Sequence, residues 1–544
     1  MAAPDPAPAS VPTGRALAVE RLVEAGRSAP AAALCAQWIA DDPVAHRPHG
    51  LLAAIEGRRG AWTEALGHLD RAIERAPALL RYQIDRGAVL RRMGDTEGAL
   101  QAFERVLAAA PDDGEAIGQY GLTLLKLGED ARAAEMLTRA NAAMPERTGW
   151  RLALAVIASR SGDPDRAAAL LGHVIEQAPD DLDALDLRSQ VALDLGDYAS
   201  AVDCMQRAAQ IDPSSHERAG RLALTLLQAG RLAEGWAQLR SRLDVPGRDR
   251  RARLFPHPVW DGGSLRGRTI ALWRQFGIGE EIMFAGMLPD VLAEGGRAVV
   301  ECDPRLLPLY RRSLPEITFV PFQGALATPR PELLDPRIAC KAALADLGGR
   351  YRHDLGRFPA RRSYLSADPV RAAALTARRR DDGARPAIGI VWHSERSPAS
   401  PHKSIPLAAW RPAFAAIEAT WFDLQHGEPP DGHPADVGVP LRREPDVDTQ
   451  NDLDGLAALI ASLDLVVTIS TATAHLAGAL GKEAFVLVPA RRGLLWHWFD
   501  GRDDSPWYPS VRLFRQRRDG DWSEAMVEVA NALSGWRARR PGPS

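Results

Sequence analysis

The fold of the C-terminal half is decided by residues 465–489, which read LVVTISTATAHLAGALGKEAFVLVP. The apolar run 465–469 predicts a strand, and the small polar residues after it predict a turn. A helix is expected next, because apolar and small residues continue as far as Gly481, a residue that favours helix ends. Residues 485–488 predict a second strand. The stretch therefore indicates a βαβ unit of an α/β domain.

The predicted turn and helix start carry groups that suit a phosphate. The first backbone N–H groups of a helix have no partner within the helix, and they favour a negative charge. An ordinary crossover without a ligand is the alternative interpretation. The side chains beside those N–H groups are polar: Ser470, Thr471, Thr473 and His475.

Length and composition limit the class of protein. A chain of 544 residues holds more than one domain. Its 67 Lys and Arg against 70 Asp and Glu argue against a general nucleic-acid binder. Four scattered cysteines fit a reducing compartment without structural zinc. Residues 1–11 are rich in Ala and Pro, so a disordered tail is expected rather than a signal peptide, and no membrane span is expected. These features predict a cytoplasmic protein.

The N-terminal half repeats with a period of 34 residues. A proline, a glycine and an alanine each recur at that spacing, and a fourth column is always apolar. Glycine permits the turn between two antiparallel helices, alanine lets them approach closely, and proline ends the second helix. The glycines are Gly26, Gly60, Gly94, Gly128, Gly162, Gly196 and Gly230, and the alanines are Ala31, Ala65, Ala99, Ala133, Ala167 and Ala201.

This pattern resembles the tetratricopeptide repeat, with about seven units over residues 12–246. The resemblance implies an all-α superhelix whose concave face binds a protein segment. A spacer or a dimerisation surface is the alternative.

The remainder of the chain alternates strand and helix patterns. After a basic link at residues 247–266, which we expect to be solvated, one α/β domain is predicted over 267–384 and another over 385–536, with a tail at 537–544. The first domain should begin with a strand at 269–273 and a helix at 280–292.

Several segments carry a resemblance to the family 9-type, heptosyltransferase-like GT-B glycosyltransferases. The likeness covers roughly residues 250–535 and implies two Rossmann-like domains, the second binding a nucleotide sugar. Repeats followed by such a domain also resemble bacterial protein O-glycosyltransferases that attach nonulosonic acids, such as pseudaminic or legionaminic acid, to flagellin. The segments are WRQFGIGEEIMFAGMLPDVL at 273–292, IGIVWHS at 388–394, HKSIPLAAW at 402–410, FDLQHGE at 422–428, DLDGLAALIASLDLVVTISTATAHLAGALGK at 452–482 and SPWYPSVRLFRQ at 505–516.

The resemblance implies a catalytic carboxylate at the first helix of this region. The family has Gly-Asp there, and its Asp serves as general base toward the acceptor hydroxyl. This chain has Gly279-Glu280, so Glu280 is the expected base and Glu281 the alternate. A pair of helix-capping glutamates is the other interpretation.

The resemblance also implies donor-binding residues in the second domain. Lys403 matches the family lysine that contacts the donor phosphate, and His475 is the histidine of its AHLAG segment. Positive charge is needed there because the leaving oxygen gains negative charge in the transition state. His402 and Arg512 are further anion candidates, although an exposed basic strand would also explain Arg512. Gln425 is expected to border the nucleotide.

One departure from the family bears on the donor. The family commonly has Asp-Thr-Ser before the helix, where this chain has Ser470-Thr471-Ala472. A neutral serine avoids repelling a carboxylated sugar, which favours a CMP-linked nonulosonic acid, but the same loss could mean a degenerate site. The formal DxD motif at residues 446–448 lies in an acidic stretch that we expect to be solvated, so neither a metal nor another cofactor is predicted.

Together these features predict a metal-independent, inverting protein O-glycosyltransferase whose repeats hold the acceptor, most plausibly flagellin. Two alternative functions remain open. One is a heptosyltransferase-like enzyme of cell-surface glycan synthesis, and the other is a repeat scaffold with an inactive GT-B domain.

Overall fold

The computed structural model describes residues 14–241, 255–324, 329–380, 385–395, 400–427 and 438–539. The predicted tail at 1–11 and parts of the predicted link and C-terminal tail lie outside these ranges. The chain divides into two compact units, residues 1–188 and 189–544. None of the helices in the described ranges combines the length and the apolar character that crossing a bilayer requires.

The N-terminal part of the chain consists of helices in antiparallel pairs. The described residues 14–241 form seven such pairs. Their bounds are α1 Gly14–Glu24, α2 Ser28–Asp41, α3 Arg47–Arg58, α4 Trp62–Arg75, α5 Leu80–Met93, α6 Thr96–Ala109, α7 Gly114–Lys126, α8 Asp130–Ala143, α9 Thr148–Arg160, α10 Pro164–Gln177, α11 Leu182–Leu195, α12 Tyr198–Ile211, α13 His216–Gln228 and α14 Leu232–Ser241.

The repeat columns have the roles that their residue types predict. Each of the seven glycines from Gly26 to Gly230 follows the first helix of a pair and has a positive φ, between 71° and 93°. That conformation is strained for residues with a Cβ, so glycine is required there. The six alanines from Ala31 to Ala201 are fully buried between the paired helices. The predicted repeat is confirmed.

The first α/β region is built on a four-stranded parallel sheet. The strand order is β3-β2-β1-β4. The strands are β1 Thr269–Trp273, β2 Arg297–Cys302, β3 Thr318–Pro321 and β4 Cys340–Ala343, and the helices are α15 Ile278–Ala285, α16 Leu288–Ala293, α17 Leu307–Ser313, α18 Gly348–Tyr351 and α19 Pro369–Arg380.

The second α/β region is built on a six-stranded parallel sheet. The order is β10-β9-β8-β5-β6-β7. The strands are β5 Ala387–Val391, β6 Thr420–Asp423, β7 Leu441–Arg442, β8 Leu465–Ile469, β9 Ala484–Val488 and β10 Val511–Arg515, and the helices are α20 Ser400–Lys403, α21 Arg411–Ala416, α22 Leu453–Ser462, α23 Ala472–Ala479 and α24 Ser523–Ala538.

The sequence-derived elements need two corrections. The helix predicted at 280–292 is two helices, α15 and α16, because Pro289 lacks an N–H and its ring would clash with the carbonyl of Ala285. The part of the predicted first domain before residue 384 also contains the strand β4 and the helix α19, neither of which was assigned from the sequence. The strands predicted at 269–273 and 465–469 are confirmed.

The prediction of a solvated link is also wrong for its described part. Phe255 and Trp260 are buried. The Trp260 N–H donates to the Lys341 carbonyl at 2.8 Å, and the Lys341 N–H donates to the Pro258 carbonyl at 2.8 Å. Residues 255–260 therefore lie along β4 as part of the first sheet region.

The second unit begins within α11 and includes α12, α13 and α14. Leu227, Leu232 and Trp236 share one apolar core with residues of both sheet regions. Trp236 is 2% exposed, and its ring makes edge contacts with Phe284 on α15 and with Trp496 in the second sheet region, at centroid distances of 6.1 and 5.4 Å.

Two polar contacts accompany this packing. The Trp236 indole N–H donates to the Arg352 carbonyl at 2.9 Å. The Tyr198 hydroxyl donates to the Asp500 carboxylate at 3.0 Å and accepts from Arg491 at 3.1 Å. The end of the repeat array is thus fixed to both sheet regions by buried and half-buried side chains.

Candidate functional site

Two helix starts meet where the two sheet regions face each other. Helix α15 follows β1 and helix α23 follows β8, so both begin at the carboxyl ends of parallel strands. A Cβ on Gly279 would lie 2.8 Å from the His475 ring and 3.5 Å from the Cα of Ala472. Only glycine permits this approach, which brings Glu280 beside the start of α23.

Glu280 has a carboxylate that other residues leave available. It is half-buried in the first turn of α15, and its Oε2 lies 3.0 Å from where a Cβ on Gly277 would be, so the side chain curls over the helix start. In the described part of the chain, no hydrogen bond or ion pair engages it. Its charge opposes the effect of burial on the pKa of Lys403, so the two groups are close.

Glu281, the alternate base, is placed differently. It is 1% exposed, and both of its oxygens are engaged: Oε1 accepts from the Asp303 N–H at 2.8 Å and Oε2 accepts from the Arg274 guanidinium at 2.5 Å. Burial raises its pKa to about 7, against the opposing charge of Arg274. Glu281 thus connects α15 to the end of β2 through its hydrogen bonds. Glu280 makes no corresponding hydrogen bond in the described part of the chain.

Lys403 is a buried cation that lacks a direct contact with an anion in the described part of the chain. It ends α20, is 5% exposed, and has neither a hydrogen bond nor an ion pair within the described ranges. Burial lowers its pKa. Its charge in turn lowers the pKa of His475 and of His497. An unpaired ammonium in a buried position is costly, and an anionic ligand would remove that cost.

His475 is held by aromatic neighbours. It is 3% exposed, its ring stacks on Trp498 at 5.2 Å, and its Nδ1 lies 3.0 Å from the Tyr508 hydroxyl. Burial, with the charge of Lys403, lowers its pKa to about 3. His475 is therefore neutral at physiological pH in the absence of a ligand.

The two ring nitrogens of His475 have different surroundings. Nδ1 lies 3.0 Å from the Tyr508 hydroxyl, whereas Nε2 lies 3.4 Å from where a Cβ on Gly279 would be. Nε2 is therefore the ring nitrogen on the side of α15.

The residues of the α23 turn are buried. Ser470 is 2% exposed, and its hydroxyl accepts a hydrogen bond from the Trp498 indole at 2.7 Å. Thr471 precedes the first residue of α23, with its hydroxyl 3.5 Å from that of Thr468, and Thr473 is 3% exposed. The position where the resembling family has Asp therefore carries a neutral hydroxyl fixed by an indole.

His497 is a site residue that the sequence analysis missed. It lies in a short 3-10 turn, Trp496–Trp498, and is 1% exposed. Neither ring nitrogen has a hydrogen-bond partner among the residues that the structure describes. Its ring is 4.8 Å from that of His475. Its two tryptophan neighbours suggested packing only, and no spacing in the sequence connects it with His475.

The remaining predicted residues lie elsewhere. Gln425 joins the ends of β5 and β6, because its side chain accepts from the His393 N–H at 3.1 Å and donates to the His393 carbonyl at 2.8 Å. His402 lines a cavity of about 610 Å³ with His393 and Trp522. Arg512 is exposed on β10, with its guanidinium 4.8 Å from the Phe514 ring. Its position agrees with the exposed-strand interpretation.

The formal DxD motif is engaged in local contacts. Asp446 pairs with Arg378 at 2.7 Å, and Asp448 accepts from Asn451 at 2.9 Å. Within the described ranges, no group of three or more His, Cys, Asp or Glu side chains is placed to hold a metal ion.

Comparison with known proteins agrees with the repeat fold. Tetratricopeptide-repeat models match residues 90–140, 131–191 and 182–215. Among solved structures, PilF of Pseudomonas aeruginosa covers 38% of this chain and 93% of its own at 16% identity and a TM-score of 0.34, and a thermophilic repeat protein of Thermus thermophilus, TTC0263, covers 33% and 97% at 24% identity and a TM-score of 0.30. The chain is thus a tetratricopeptide-repeat protein that continues into two parallel-sheet regions.

A longer relative defines the family. Protein FlbA of Caulobacter vibrioides is 31% identical over 507 residues, which make up 90% of this chain and 84% of FlbA. The chain belongs to the FlbA family. Cellulose synthase 2 operon protein C of Komagataeibacter xylinus is 35% identical over 117 residues, but these cover only 21% of this chain and 9% of that protein.

Proposed function

We propose that this protein is a metal-independent, inverting glycosyltransferase of the GT-B type that transfers a sugar to Ser or Thr hydroxyls of a protein bound by its repeats. One observation carries the proposal. In the described part of the chain, Glu280 and the buried Lys403 each lack a hydrogen bond or ion pair, and they act on each other electrostatically where the helix starts of two parallel-sheet regions meet. Ligand sites of open parallel sheets lie at such carboxyl ends.

In the proposed reaction, Glu280 takes the proton of the acceptor hydroxyl as its oxygen attacks the anomeric carbon. The new carbon–oxygen bond forms as the bond to the nucleotide phosphate breaks on the opposite face, which inverts the configuration. The leaving phosphate gains negative charge, which Lys403 and the N–H groups at the start of α23 stabilise. Nε2 of His475, on the side of α15, is a further hydrogen-bond donor to that phosphate in this proposal.

The donor in this proposal is a nucleotide-linked acidic sugar, with CMP-nonulosonate favoured. Ser470 supports this choice, because its neutral hydroxyl is bound to Trp498 where a carboxylate would repel an acidic sugar. Comparing turnover of CMP-nonulosonate with that of neutral nucleotide sugars tests it, and a preference for a neutral donor would contradict it.

The acceptor in this proposal is a protein, most plausibly flagellin, modified in the cytoplasm. The array of helix pairs supports a protein acceptor over a lipid-linked glycan, because stacked repeats provide an extended surface for a peptide.

The catalytic role of Glu280 is tested by Glu280→Gln in the full-length protein. We expect transfer to fall by about 10²–10⁴-fold, the usual contribution of a general base, while acceptor binding stays unchanged. Glu97→Gln is the matched control, since Glu97 is an exposed glutamate in the first turn of repeat helix α6. Transfer at the wild-type rate by Glu280→Gln would contradict the catalytic role of Glu280, whereas absence of transfer by the wild type itself would favour a scaffold.

A further inference from the structure

His497 is a buried residue whose polar atoms are unsatisfied within the described ranges. It is 1% exposed, and neither ring nitrogen forms a hydrogen bond with a described residue. A neutral imidazole has one N–H donor and one lone-pair acceptor, and leaving both unsatisfied in a buried place costs free energy. Buried polar groups without partners are rare in native proteins, so a ligand that satisfies both atoms is the physical expectation.

The charged surroundings of His497 favour a negative ligand. The titratable groups that act on the ring are His475, 4.8 Å away, and the Lys403 ammonium. Lys403 itself interacts with Glu280, the carboxylate on α15. The interacting groups are thus one cation, Lys403, two imidazoles, His475 and His497, and one carboxylate, Glu280.

The position of His497 is fixed by the turn that carries it. Trp498, the next residue, donates to Ser470 and stacks on His475. Trp496, the preceding residue, packs against Trp236. The ring is thus held between two anchored tryptophans, which makes it suited to recognise a group at a defined place.

We infer that His497 binds the carboxylate of an acidic sugar while Lys403 binds the phosphate linked to that sugar. The inference rests on the proposed glycosyltransferase function. In a CMP-linked nonulosonic acid, the carboxylate and the oxygen of the phosphate are both attached to the anomeric carbon. Two negative groups therefore enter one small site. A carboxylate oxygen accepts from the imidazole N–H, and a hydroxyl or amide N–H of the sugar donates to the other nitrogen.

Binding measurements on the full-length protein test this subsite. The probes are CMP and CMP-N-acetylneuraminate, which share the nucleotide and differ in the acidic sugar. We expect the wild type to bind the sugar nucleotide at least tenfold more tightly than CMP. His497→Gln should reduce that ratio to near one and leave the affinity for CMP unchanged. Lys403→Met, the matched comparison, should weaken the binding of both probes.

Several outcomes would overturn the inference. They are equal affinity of the wild type for the two probes, an unchanged ratio in His497→Gln, or an equal loss of both affinities in that variant. His497→Asn, with a thermal unfolding curve for each variant, guards against loss of fold. If the ratio behaves as expected but Glu280→Gln still transfers sugar, the subsite stands and the proposed catalytic role fails. If neither probe binds, both the proposed donor class and the subsite fail.

Discussion

The early repeats and the last two repeats of this chain share one sequence pattern but have different surroundings. In the first unit, an apolar core over residues 84–157 is made by repeat helices alone. In the second unit, α13 and α14 add their apolar side chains to a core that continues into both sheet regions. The periodic columns are the same in both places. The difference comes from residues outside those columns, above all Trp236 and Tyr198, and it shows that a repeat becomes part of another domain through a few side chains.

Truncating a buried tryptophan should destabilise either unit strongly, but only in the second unit should it also reduce transfer. Trp236→Ala should lower the free energy of unfolding of the second unit by about 3–5 kcal/mol, because it leaves a large cavity and an unpaired Arg352 carbonyl. It should also reduce transfer, since Trp236 contacts Phe284, one turn after Glu280 on α15. Hydrogen exchange resolved along the chain and a transfer assay measure the two effects.

The matched variant in the first unit is Trp150→Ala. Trp150 is 4% exposed, and a Cβ on Gly118 would lie 2.5 Å from its ring, as one on Gly348 would from the ring of Trp236. The same cavity cost is expected, but confined to residues 14–188. Trp236→Phe should recover most of the transfer. Equal loss of transfer from Trp150→Ala and Trp236→Ala would contradict the claim that only the repeat helices of the second unit support the site.

Acid should weaken each unit through its own buried histidine. The pKa of His475 is about 3 in the folded protein and near 6.5 when unfolded, so the unfolded state binds more protons between these values, and stability falls as the pH falls. From pH 6.5 to 5 the loss is about 1.6 kcal/mol for each such histidine. In the first unit, burial with Arg75 lowers the pKa of His49 to about 4.

The variants His475→Asn and His49→Asn test this assignment. Each should flatten the acid dependence of unfolding in its own unit and leave that of the other unchanged, as measured by hydrogen exchange at the two pH values. An acid dependence of the second unit that His475→Asn does not alter would contradict it.

A smaller effect is expected from the glycine column. Gly196→Ala and Gly94→Ala each place a Cβ at a positive φ, which costs about 1–2 kcal/mol. At Gly94 nothing lies within 4 Å of the added atom, whereas at Gly196 it would lie 2.4 Å from the Arg491 guanidinium. Gly196→Ala should therefore cost more in thermal unfolding. Equal costs would show that the contact with Arg491 contributes nothing.

The smallest effect concerns two tyrosine hydroxyls. Tyr198→Phe removes the bonds to Asp500 and Arg491, and Tyr120→Phe removes a bond to Glu104 at 3.1 Å in the first unit. Each should cost about 0.5–1.5 kcal/mol. Only Tyr198→Phe should increase hydrogen exchange near residue 491, and an increase there from Tyr120→Phe would contradict the separation of the units.

The parts of the fold that repeat or alternate could be predicted from the sequence. The glycine column forced a turn at every 34th residue, and the apolar run 465–469 became β8. Strand β4 was missed because it is only four residues long and includes Lys341. The role of Trp236 was missed because its partners are distant in the sequence and follow no period.

The site was predictable to the extent that its residues lie in local motifs. Glu280 on α15 lies beside the start of α23, which carries His475, because the carboxyl ends of the two sheets face each other, and Lys403 acts electrostatically on both. His497 lies in a turn whose sequence, WHW, indicates only burial, and the missing partners of its ring are visible only in three dimensions. The engagement of Glu281 by Arg274 and the Asp303 N–H was equally hidden.

Transfer of a sugar to flagellin is tested most directly by the intact mass of flagellin from host cells that carry the wild-type protein, lack it, or carry Glu280→Gln. We expect flagellin from the wild type to be heavier by one or more nonulosonic acid residues, and both other strains to yield the unmodified mass. Identical flagellin masses in all three strains would contradict the claim that this protein transfers a sugar to flagellin.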